Sequence, residues 1–350
     1  MKRCDFDLPF LLRYENVAWY ENGKVRILDR RIYPTEIKFV ECASYREVAQ
    51  AIADMVTQSA GPYTAAGMGM ALAAYEVKDK SAASQLAFLR QASYDISHAR
   101  PTTANRMSIV TEGCLKAAEG ALAAGKNVCD AIFERTIDSL ERRYGTMEKV
   151  GEYLASLFPK GGTVLTQCFG ETIVGMMLRA AKKSGNELKL YCAETRPYLQ
   201  GARLTSSCCY EMGFDTTVIT DNMVAYAMQK KGIDVFTSAA DTIARDGCIA
   251  NKIGTFQIAI LAKHFGIPYF VTGIPDADKM TMRDIVIEER DPSLVLSSGG
   301  RGNTLPGVKG IYPSFDITPP HLISGVVTDK GVFTPYTLND YFDTKVDEYY

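Results

Sequence analysis

The sequence predicts an α/β protein: a doubly wound, Rossmann-like parallel sheet preceded by a mostly helical N-terminal domain with a small antiparallel β element. From about residue 161 onward, strand-like runs alternate with helical ones, which is typical of parallel sheets with right-handed crossovers. Before about residue 150, apolar residues recur mainly with helical spacing. A chain of 350 residues is long for a single domain. We therefore expect two domains, residues 1–150 and 151–350.

The N-terminal half begins with a hairpin signal. Asn22-Gly23 separates the apolar runs 17–20 and 25–28, and this dipeptide favours the tight turn between two antiparallel strands. Helical patterns follow, and Gly-Pro and Arg-Pro dipeptides interrupt them. The predicted helices span residues 45–58, 65–75, 81–92 and 105–124.

The C-terminal half reads as a series of parallel strands joined by helices. Strand order 3-2-1-4-5 would put the first and fourth strands side by side at the topological switch point, where open α/β sheets bind ligands. Cys168 ends the first of these strands and Asp241 ends the fourth. The predicted strands span 163–167, 188–193, 216–220, 234–239 and 269–272, and the helices span 172–184, 199–212, 223–231 and 253–265.

Composition narrows the function classes. A net charge of −2 gives no reason to expect nucleic acid or a membrane as partner. Neither a signal peptide nor a membrane-spanning segment is predicted, so we expect a cytoplasmic protein. Nine cysteines without a Cys-x-x-Cys pair disfavour a metal site and fit a reducing compartment. The turn after the first strand lacks the Gly-x-Gly-x-x-Gly fingerprint, which disfavours a dehydrogenase, and no cofactor is expected.

Cys168 and Asp241 are the candidate catalytic residues. A helix N-terminus after Cys168 would stabilise a thiolate, and a partly desolvated Asp241 would be a proton donor near neutral pH. Simpler interpretations remain open, because a cysteine after a buried strand is often core filler and an aspartate there often caps a turn.

Further polar residues are predicted around the same cleft. Arg196 and Gln200 follow the second strand, where residues 194–197 otherwise read as a capped helix start. Asn251 reads as a helix N-cap, and Lys252 at a helix start opposes the macrodipole unless it faces an anion such as phosphate. Arg100 would add a cation from the helical domain, although Arg-Pro alone is an ordinary turn.

Several motifs together resemble the methylthioribose-1-phosphate isomerase family, which is related to ribose-1,5-bisphosphate isomerases and to regulatory subunits of a translation-initiation exchange factor. The resemblance covers nearly the whole chain. It is carried by Arg100-Pro101-Thr102, Glu194-Thr195-Arg196-Pro197 with Gln200-Gly201-Ala202-Arg203-Leu204-Thr205, Ala250-Asn251-Lys252-Ile253-Gly254-Thr255, Glu288-Glu289-Arg290-Asp291-Pro292 and Pro313-Ser314-Phe315-Asp316-Ile317-Thr318-Pro319.

The resemblance implies isomerisation of an aldose 1-phosphate to a ketose 1-phosphate by a homodimer. It implies Cys168 as the catalytic thiol and Asp241 as the proton donor. The residues that it implies for substrate binding are Ser59, Ala60, Arg100, Gln200, Asn251 and Lys252, to which we add Arg196 from its place beside the cleft. The alternative is a non-catalytic subunit that binds a sugar phosphate or a nucleotide, like the initiation-factor relatives.

Two departures from the family pattern concern substrate recognition. The family's phosphate-site Arg-Gly-Ala aligns with Gln58-Ser59-Ala60, so one expected cation is missing. The usual His-Cys-Asn-Ala-Gly is replaced by residues 167–171, in which Phe169 and Glu171 add bulk and negative charge. We therefore expect that the catalytic pair is retained while the substrate differs, with a methylthio- or deoxypentose 1-phosphate as candidates.

Overall fold

A computed structural model describes residues 3–100 and 104–343. These residues form two compact units, one ending at Thr146 and the next beginning at Met147. The predicted domain boundary at residue 150 falls within a long helix, Val128–Ser156, which continues from the first unit into the second. The boundary itself stays a prediction.

The first unit contains a three-stranded antiparallel sheet and most of the helices. Strands β1 (Ala18–Glu21) and β2 (Lys24–Leu28) form the predicted hairpin, and β3 (Phe39–Cys42) pairs with β2. Asn22 and Gly23 both have positive φ, 50° and 75°, as the type I′ turn requires. The helices are α1 (Tyr14–Val17), α2 (Tyr45–Ala53), α3 (Gly61–Glu76), α4 (Ala82–Ser97), α5 (Ala104–Ala123) and α6 (Val128–Ser156).

The second unit is built on a seven-stranded sheet. Its strand order is β15-β14-β10-β7-β4-β5-β6. The five predicted strands are therefore in the predicted order 3-2-1-4-5, all parallel, and β14 extends them before β15 closes the edge in the antiparallel direction. The strands are β4 (Thr163–Gln167), β5 (Lys189–Ala193), β6 (Asp215–Ile219), β7 (Val235–Ala239), β10 (Tyr269–Thr272), β14 (Gly325–Thr328) and β15 (Gly331–Phe333).

The burial pattern of β4 fits its place in the interior of this sheet, between β7 and β5. All five of its residues are buried, as expected for a parallel strand covered by helices on both faces. Apolar side chains from β4, β7 and β10 pack with helix residues in one core, which includes Leu165, Phe236, Val271 and Ile258. The helices are α7 (Thr172–Lys183), α8 (Ser206–Glu211), α9 (Val224–Lys230), α10 (Thr255–Phe265) and α11 (Asn339–Asp343).

A second, small antiparallel sheet was not predicted. It has the order β13-β9-β8, formed by β8 (Thr242–Ile243), β9 (Ile249–Lys252) and β13 (Phe315–Thr318). Strands β9 and β13 of this sheet are more than sixty residues apart in the sequence. Because β9 is short and its partner is distant, the local sequence before α10 does not show whether it forms a strand or a helix. A two-residue hairpin of β11 (Ser297–Ser298) and β12 (Arg301–Gly302) also forms in a predicted loop.

Candidate active site

The predicted neighbourhood of Cys168 and Asp241 is present in the second unit. Strands β4 and β7 are adjacent and parallel, with Thr166 opposite Thr237. Cys168 follows β4 directly, and Asp241 lies two residues beyond β7. The Cys168 side chain is half-buried and Asp241 is exposed, so both lie at the end of the sheet where ligands of this fold bind.

The thiol of Cys168 is neutral at physiological pH. Burial raises its pKa to about 11. Lys252 opposes this shift with its positive charge, whereas the carboxylates of Asp241 and Asp221 reinforce it. Cys168, Asp241 and Lys252 are therefore close enough to interact electrostatically. Loss of hydration outweighs the positive charge of Lys252, so the thiol form is favoured over the thiolate. Stabilisation of a developing negative charge by the following helix stays a prediction.

Thr195 holds the backbone of Cys168 in place. Its buried hydroxyl oxygen accepts a hydrogen bond from the Cys168 amide at 3.0 Å. The same hydroxyl lies 3.2 Å from the side-chain oxygen of Gln167 and 3.1 Å from the carbonyl of Ala193, either of which it can donate to. The Cys168 carbonyl in turn accepts from the hydroxyl of Thr205 at 2.5 Å. Both backbone polar groups of the candidate catalytic residue are thus bound to side chains of the loop and helix that follow β5.

Backbone strain is concentrated around the same loops. Seven non-glycine residues of the described chain have positive φ, and four of them lie in the loops after β4 and β5: Cys168 (61°), Glu171 (49°), Thr195 (66°) and Leu199 (59°). Each such residue costs on the order of 1 kcal/mol or more, and such residues cluster at functional sites. This conformation could not be predicted from residue type, because none of the four is a residue that favours it.

The loop after β5 differs from its prediction. Residues 194–197 do not start a helix; the helical turn begins at Gly201 and continues as α8 from Ser206. Asp221 is the reason, because its carboxylate accepts the amides of Thr195 (2.9 Å) and Arg196 (2.8 Å) and keeps them outside a helix. Gly201 is required where the turn meets β5, since a Cβ there would lie 1.8 Å from the Ala193 carbonyl oxygen.

Arg196 and Gln200 have different surroundings in this loop. The guanidinium of Arg196 donates to the Ser297 carbonyl at 2.9 Å and so connects the loop to the β11 segment. Gln200 is 3% exposed, and its side-chain oxygen has no hydrogen-bond partner among the described residues. A buried amide oxygen in that condition is a candidate for bonding a ligand or an ordered water.

Asn251 and Lys252 lie on β9, so the prediction that Asn251 caps a helix is wrong. They pair with Asp316 and Phe315 of β13, and α10 begins only at Thr255, after Gly254 at φ 100°. The Asn251 amide donates to the Thr255 hydroxyl at 3.0 Å. The Lys252 ammonium is buried and lies 4.5 Å from the centre of the Phe315 ring.

Asp316 caps α10 in place of Asn251. Its two carboxylate oxygens accept the amides of Gly254 (2.7 Å) and Phe256 (3.0 Å). Burial raises the pKa of this carboxyl to about 6, although the two amide bonds act in the opposite direction. A carboxylate from β13 therefore occupies the positive end of the helix, and the Lys252 ammonium lies over the Phe315 ring of the same strand.

A small recess reaches the thiol from inside the second unit. It lies between the carboxyl halves of β4 and β7 and the first turns of α7, and its walls combine hydroxyl groups with apolar side chains. Cys168 and Gly170 border it together with Thr166, Thr237, Ser238, Ile173, Val174 and Met177. Phe169 and Glu171 are 3% and 0% exposed, so both pack inside the unit.

The remaining predicted site residues belong to the first unit. Ser59 and Ala60 are half-buried and immediately precede α3, and Ser59 has φ 59°. Arg100 is 8% exposed and ends the segment after α4. Pro101 and Thr102 of the same motif lie outside the described residues. The part of these residues in substrate binding stays a prediction.

Sequence reasoning missed Asp221 and Thr195 as structural supports of the site. A usable signal existed for Asp221, which follows the third parallel strand just as Asp241 follows the fourth.

Within residues 3–100 and 104–343, no cluster of three or more potential ligands for a metal ion is found. The helices of these ranges include none that is long and apolar enough to cross a membrane.

Comparison with known proteins defines the class. Residues 60–335 match the Initiation factor 2 subunit family, to which the chain belongs. Relatives named methylthioribose-1-phosphate isomerase include one from Chloroflexus aurantiacus, 34% identical over 332 residues (91% of this chain, 95% of that protein). Another, from Bacillus pumilus, is 35% identical over 343 residues and covers 94% of each chain.

Solved structures add a more particular likeness. The 5-methylthioribose 1-phosphate isomerase from Pyrococcus horikoshii has a TM-score of 0.81 and 31% identity, covering 94% of this chain and 96% of that one. The A. fulgidus structure described as translation initiation factor eIF-2B, subunit delta, has a TM-score of 0.78 and 32% identity, covering 91% and 96%. The chain is thus a methylthioribose-1-phosphate isomerase-like protein in sequence and fold, which confirms the resemblance.

Proposed function

We propose that the protein isomerises a pentose 1-phosphate, methylthio- or deoxy-substituted, to the corresponding ketose 1-phosphate. The observation that carries this proposal is the half-buried, neutral thiol of Cys168 beside the exposed carboxyl of Asp241. The pair lies at the switch point of the parallel sheet, and the fold is similar to that of a solved structure named as an isomerase. Such a pair offers two groups that can each hold or release a proton on either side of a small ring.

A sugar phosphorylated at its anomeric carbon cannot open to a free aldehyde, so the ring must be opened on the enzyme. Asp241 would protonate the ring oxygen as the bond from that oxygen to C1 breaks. A hydride then moves from C2 to the electron-deficient C1, and the proton of the C2 hydroxyl passes to the Asp241 carboxylate as the ketone forms, which restores the acid. No atom is gained or lost, so no cofactor or co-reactant is needed.

Cys168 would act as a neutral thiol in a dry environment. With a pKa of about 11, very little thiolate is present near pH 7. Burial of the thiol supports transfer of a carbon-bound hydrogen without exchange with water. Closure over the substrate would extend this exclusion to Asp241 and favour its acid form.

The polar residues near this pair would bind the substrate. Lys252 and Asn251 on β9, with Gln200 and Arg196 after β5, would contact the sugar or its phosphate from the second unit. From the first unit we assign Ser59, Ala60 and Arg100 to phosphate binding, as the family resemblance implies. We also propose a homodimer located in the cytoplasm.

Turnover of a panel of pentose 1-phosphates tests the proposal, with product measured as the ketose. Cys168→Ser and Asp241→Asn are each expected to lower kcat by at least about a hundredfold, the usual scale for a general acid or base. Cys4→Ser is the matched control, because Cys4 is also half-buried, and Asp215→Asn is the second, because Asp215 is exposed at the opposite end of the sheet. A folded wild-type protein without turnover of any substrate in the panel contradicts the proposal.

The second candidate is a non-catalytic subunit, which the likeness to the A. fulgidus initiation-factor structure favours. In that case a sugar phosphate or nucleotide would bind without conversion, and a protein partner would co-purify with the chain. Calorimetric binding of a pentose 1-phosphate that is recovered unchanged, together with such a partner, would support it. Turnover abolished by both Cys168→Ser and Asp241→Asn would exclude it.

A further inference from the structure

A buried tyrosine of the second unit has a hydroxyl group without a partner. The side chain of Tyr312 is 2% exposed, and its hydroxyl oxygen forms no hydrogen bond within residues 3–100 and 104–343. Buried polar groups are nearly always paired, and one that is not requires an explanation such as a ligand or an ordered water. Tyr312 is therefore a candidate for contact with a bound molecule.

The backbone around Tyr312 is held in place by residues 288–290. The Tyr312 carbonyl accepts the amide of Arg290 at 2.9 Å, and the Ser314 amide donates to the Glu288 carbonyl at 2.8 Å. The guanidinium of Arg290 also donates to the Ser314 hydroxyl at 2.6 Å and forms an ion pair with Glu288 at 3.4 Å. The backbone on both sides of the tyrosine is thus fixed before any ligand binds.

The neighbours of the Tyr312 side chain belong to the candidate active site. Its ring lies 6.0 Å from the ring of Tyr198, which stands in the loop after β5 between Arg196 and Gln200. The Tyr312 hydroxyl is also close enough to the Cys168 thiol for the two groups to interact electrostatically. A small molecule that reaches the thiol would therefore also lie near this hydroxyl.

The Tyr312 hydroxyl is neutral near physiological pH. Burial raises its pKa, and the positive charge of Arg290 opposes this shift without reversing it. A neutral phenol can donate one hydrogen bond and accept another, which matches the hydroxyl groups of a sugar. A phosphate group is bound more strongly by cations than by a neutral donor, so it is the poorer match.

We propose that Tyr312 is a further substrate-binding residue, whose hydroxyl forms a hydrogen bond with the C2 or C3 hydroxyl of the sugar beside Cys168. The proposed reaction takes place at C1 and C2, so the hydroxyl groups of C2 and its neighbour C3 are the ones nearest to the thiol. The inference rests on the proposed function for the identity of the sugar as a pentose 1-phosphate.

Calorimetric binding of ribose 1-phosphate tests the inference without turnover. The titration uses Asp241→Asn, which is expected to bind the sugar without converting it, alone and combined with Tyr312→Phe. Phenylalanine keeps the ring and removes only the hydroxyl, so the Kd should rise about five- to tenfold. Tyr341→Phe is the matched control, because this buried hydroxyl already bonds the Asp329 carboxylate at 3.1 Å. The control should leave the Kd unchanged to within about twofold.

Two deoxy sugars locate the hydrogen bond. The 2-deoxy and 3-deoxy forms of ribose 1-phosphate each lack one of the two candidate hydroxyls. The loss of affinity caused by Tyr312→Phe should disappear with one of them and persist with the other, because a contact already absent cannot be lost again. A loss of the same size with all three sugars, or no loss with ribose 1-phosphate, would overturn the inference.

Stability separates a ligand-binding role from a structural one. If the hydroxyl has no partner in the free protein, Tyr312→Phe removes a buried unsatisfied group and should leave the urea midpoint unchanged or raise it. A lower midpoint, or a variant that does not fold, would show that the hydroxyl is bonded in the free protein. Either result would overturn the inference.

Failure of the isomerase proposal gives a different result. A chain that binds ribose 1-phosphate through Tyr312 but converts no pentose 1-phosphate refutes only the isomerase proposal. Conversely, turnover with the same KM in Tyr312→Phe and wild type refutes only the role of Tyr312. Absence of ribose 1-phosphate binding to the wild type overturns the inference. If Asp241→Asn alone prevents binding, the KM of Tyr312→Phe decides, and a rise of about fivefold is the expected result.

Discussion

Replacing Thr195 with valine tests whether its hydroxyl holds Cys168 in its unusual conformation. Valine keeps the shape of the side chain and removes only the group that accepts the Cys168 amide and contacts Gln167. Each lost hydrogen bond is worth about 1 kcal/mol, and leaving the Cys168 amide unpaired adds about 1–3 kcal/mol. The added methyl group offsets part of this through apolar burial.

The expected loss in the free energy of unfolding is therefore about 2–4 kcal/mol. Urea unfolding gives this value, and hydrogen exchange of the peptide that contains Cys168 locates it, because the freed amide should exchange faster. Thr237→Val is the matched control: its hydroxyl bonds the Phe270 carbonyl at 2.8 Å, and its removal should cost about 1 kcal/mol without changing exchange at Cys168. A Thr195→Val change below about 0.5 kcal/mol with unaltered exchange would refute the role assigned to Thr195.

Three further predictions concern titration and helix continuity. The rate of Cys168 alkylation should rise with pH, with its midpoint at a pH of about 11. The midpoint should be lower in Asp241→Asn and higher in Lys252→Met, because Asp241 raises the pKa of the thiol and Lys252 lowers it. A wild-type midpoint near that of a free thiol would contradict this prediction. Because the folded pKa of Asp316 is raised to about 6, its contribution to stability is complete below its unfolded pKa and is lost as pH rises through 6, by about 3 kcal/mol. Asp316→Asn should remove that component from urea midpoints measured between pH 4 and 7, whereas an unchanged slope would count against the raised pKa. Limited digestion with trypsin should not cleave early after Lys149, because α6 is a continuous helix from Val128 to Ser156. Early cleavage at Lys149 would contradict a continuous helix.

The parallel sheet was predictable because each of its strands carries its own signal. Apolar runs between turn residues gave the strands β4 and β10 with the same bounds as in the structure, and the order followed from the rules of crossover connections. The Asn22-Gly23 turn was predictable for a similar reason, because two adjacent residues determine it. These features depend on local sequence and on chain topology.

The details that shape the site depend on distant partners and were not predictable in the same way. Asn251 resembles a helix cap until its strand pairs with β13, and Asp316 then provides the cap from far along the chain. The conformation of Cys168 depends on Thr195, and that of Thr195 on Asp221. Motif resemblance found the residues proposed for catalysis, whereas their supports are visible only in three dimensions.

Asp221 makes the outermost parallel strand relevant to chemistry two strands away. It follows β6 at the rim of the sheet, where substitutions are normally tolerated, yet one carboxylate both anchors the turn that carries Thr195 and disfavours ionisation of the Cys168 sulfur. Changes at this rim position would therefore alter the geometry and the acidity of the thiol together. The reactivity of Cys168 would in this way change without any substitution among the residues that we propose for substrate binding.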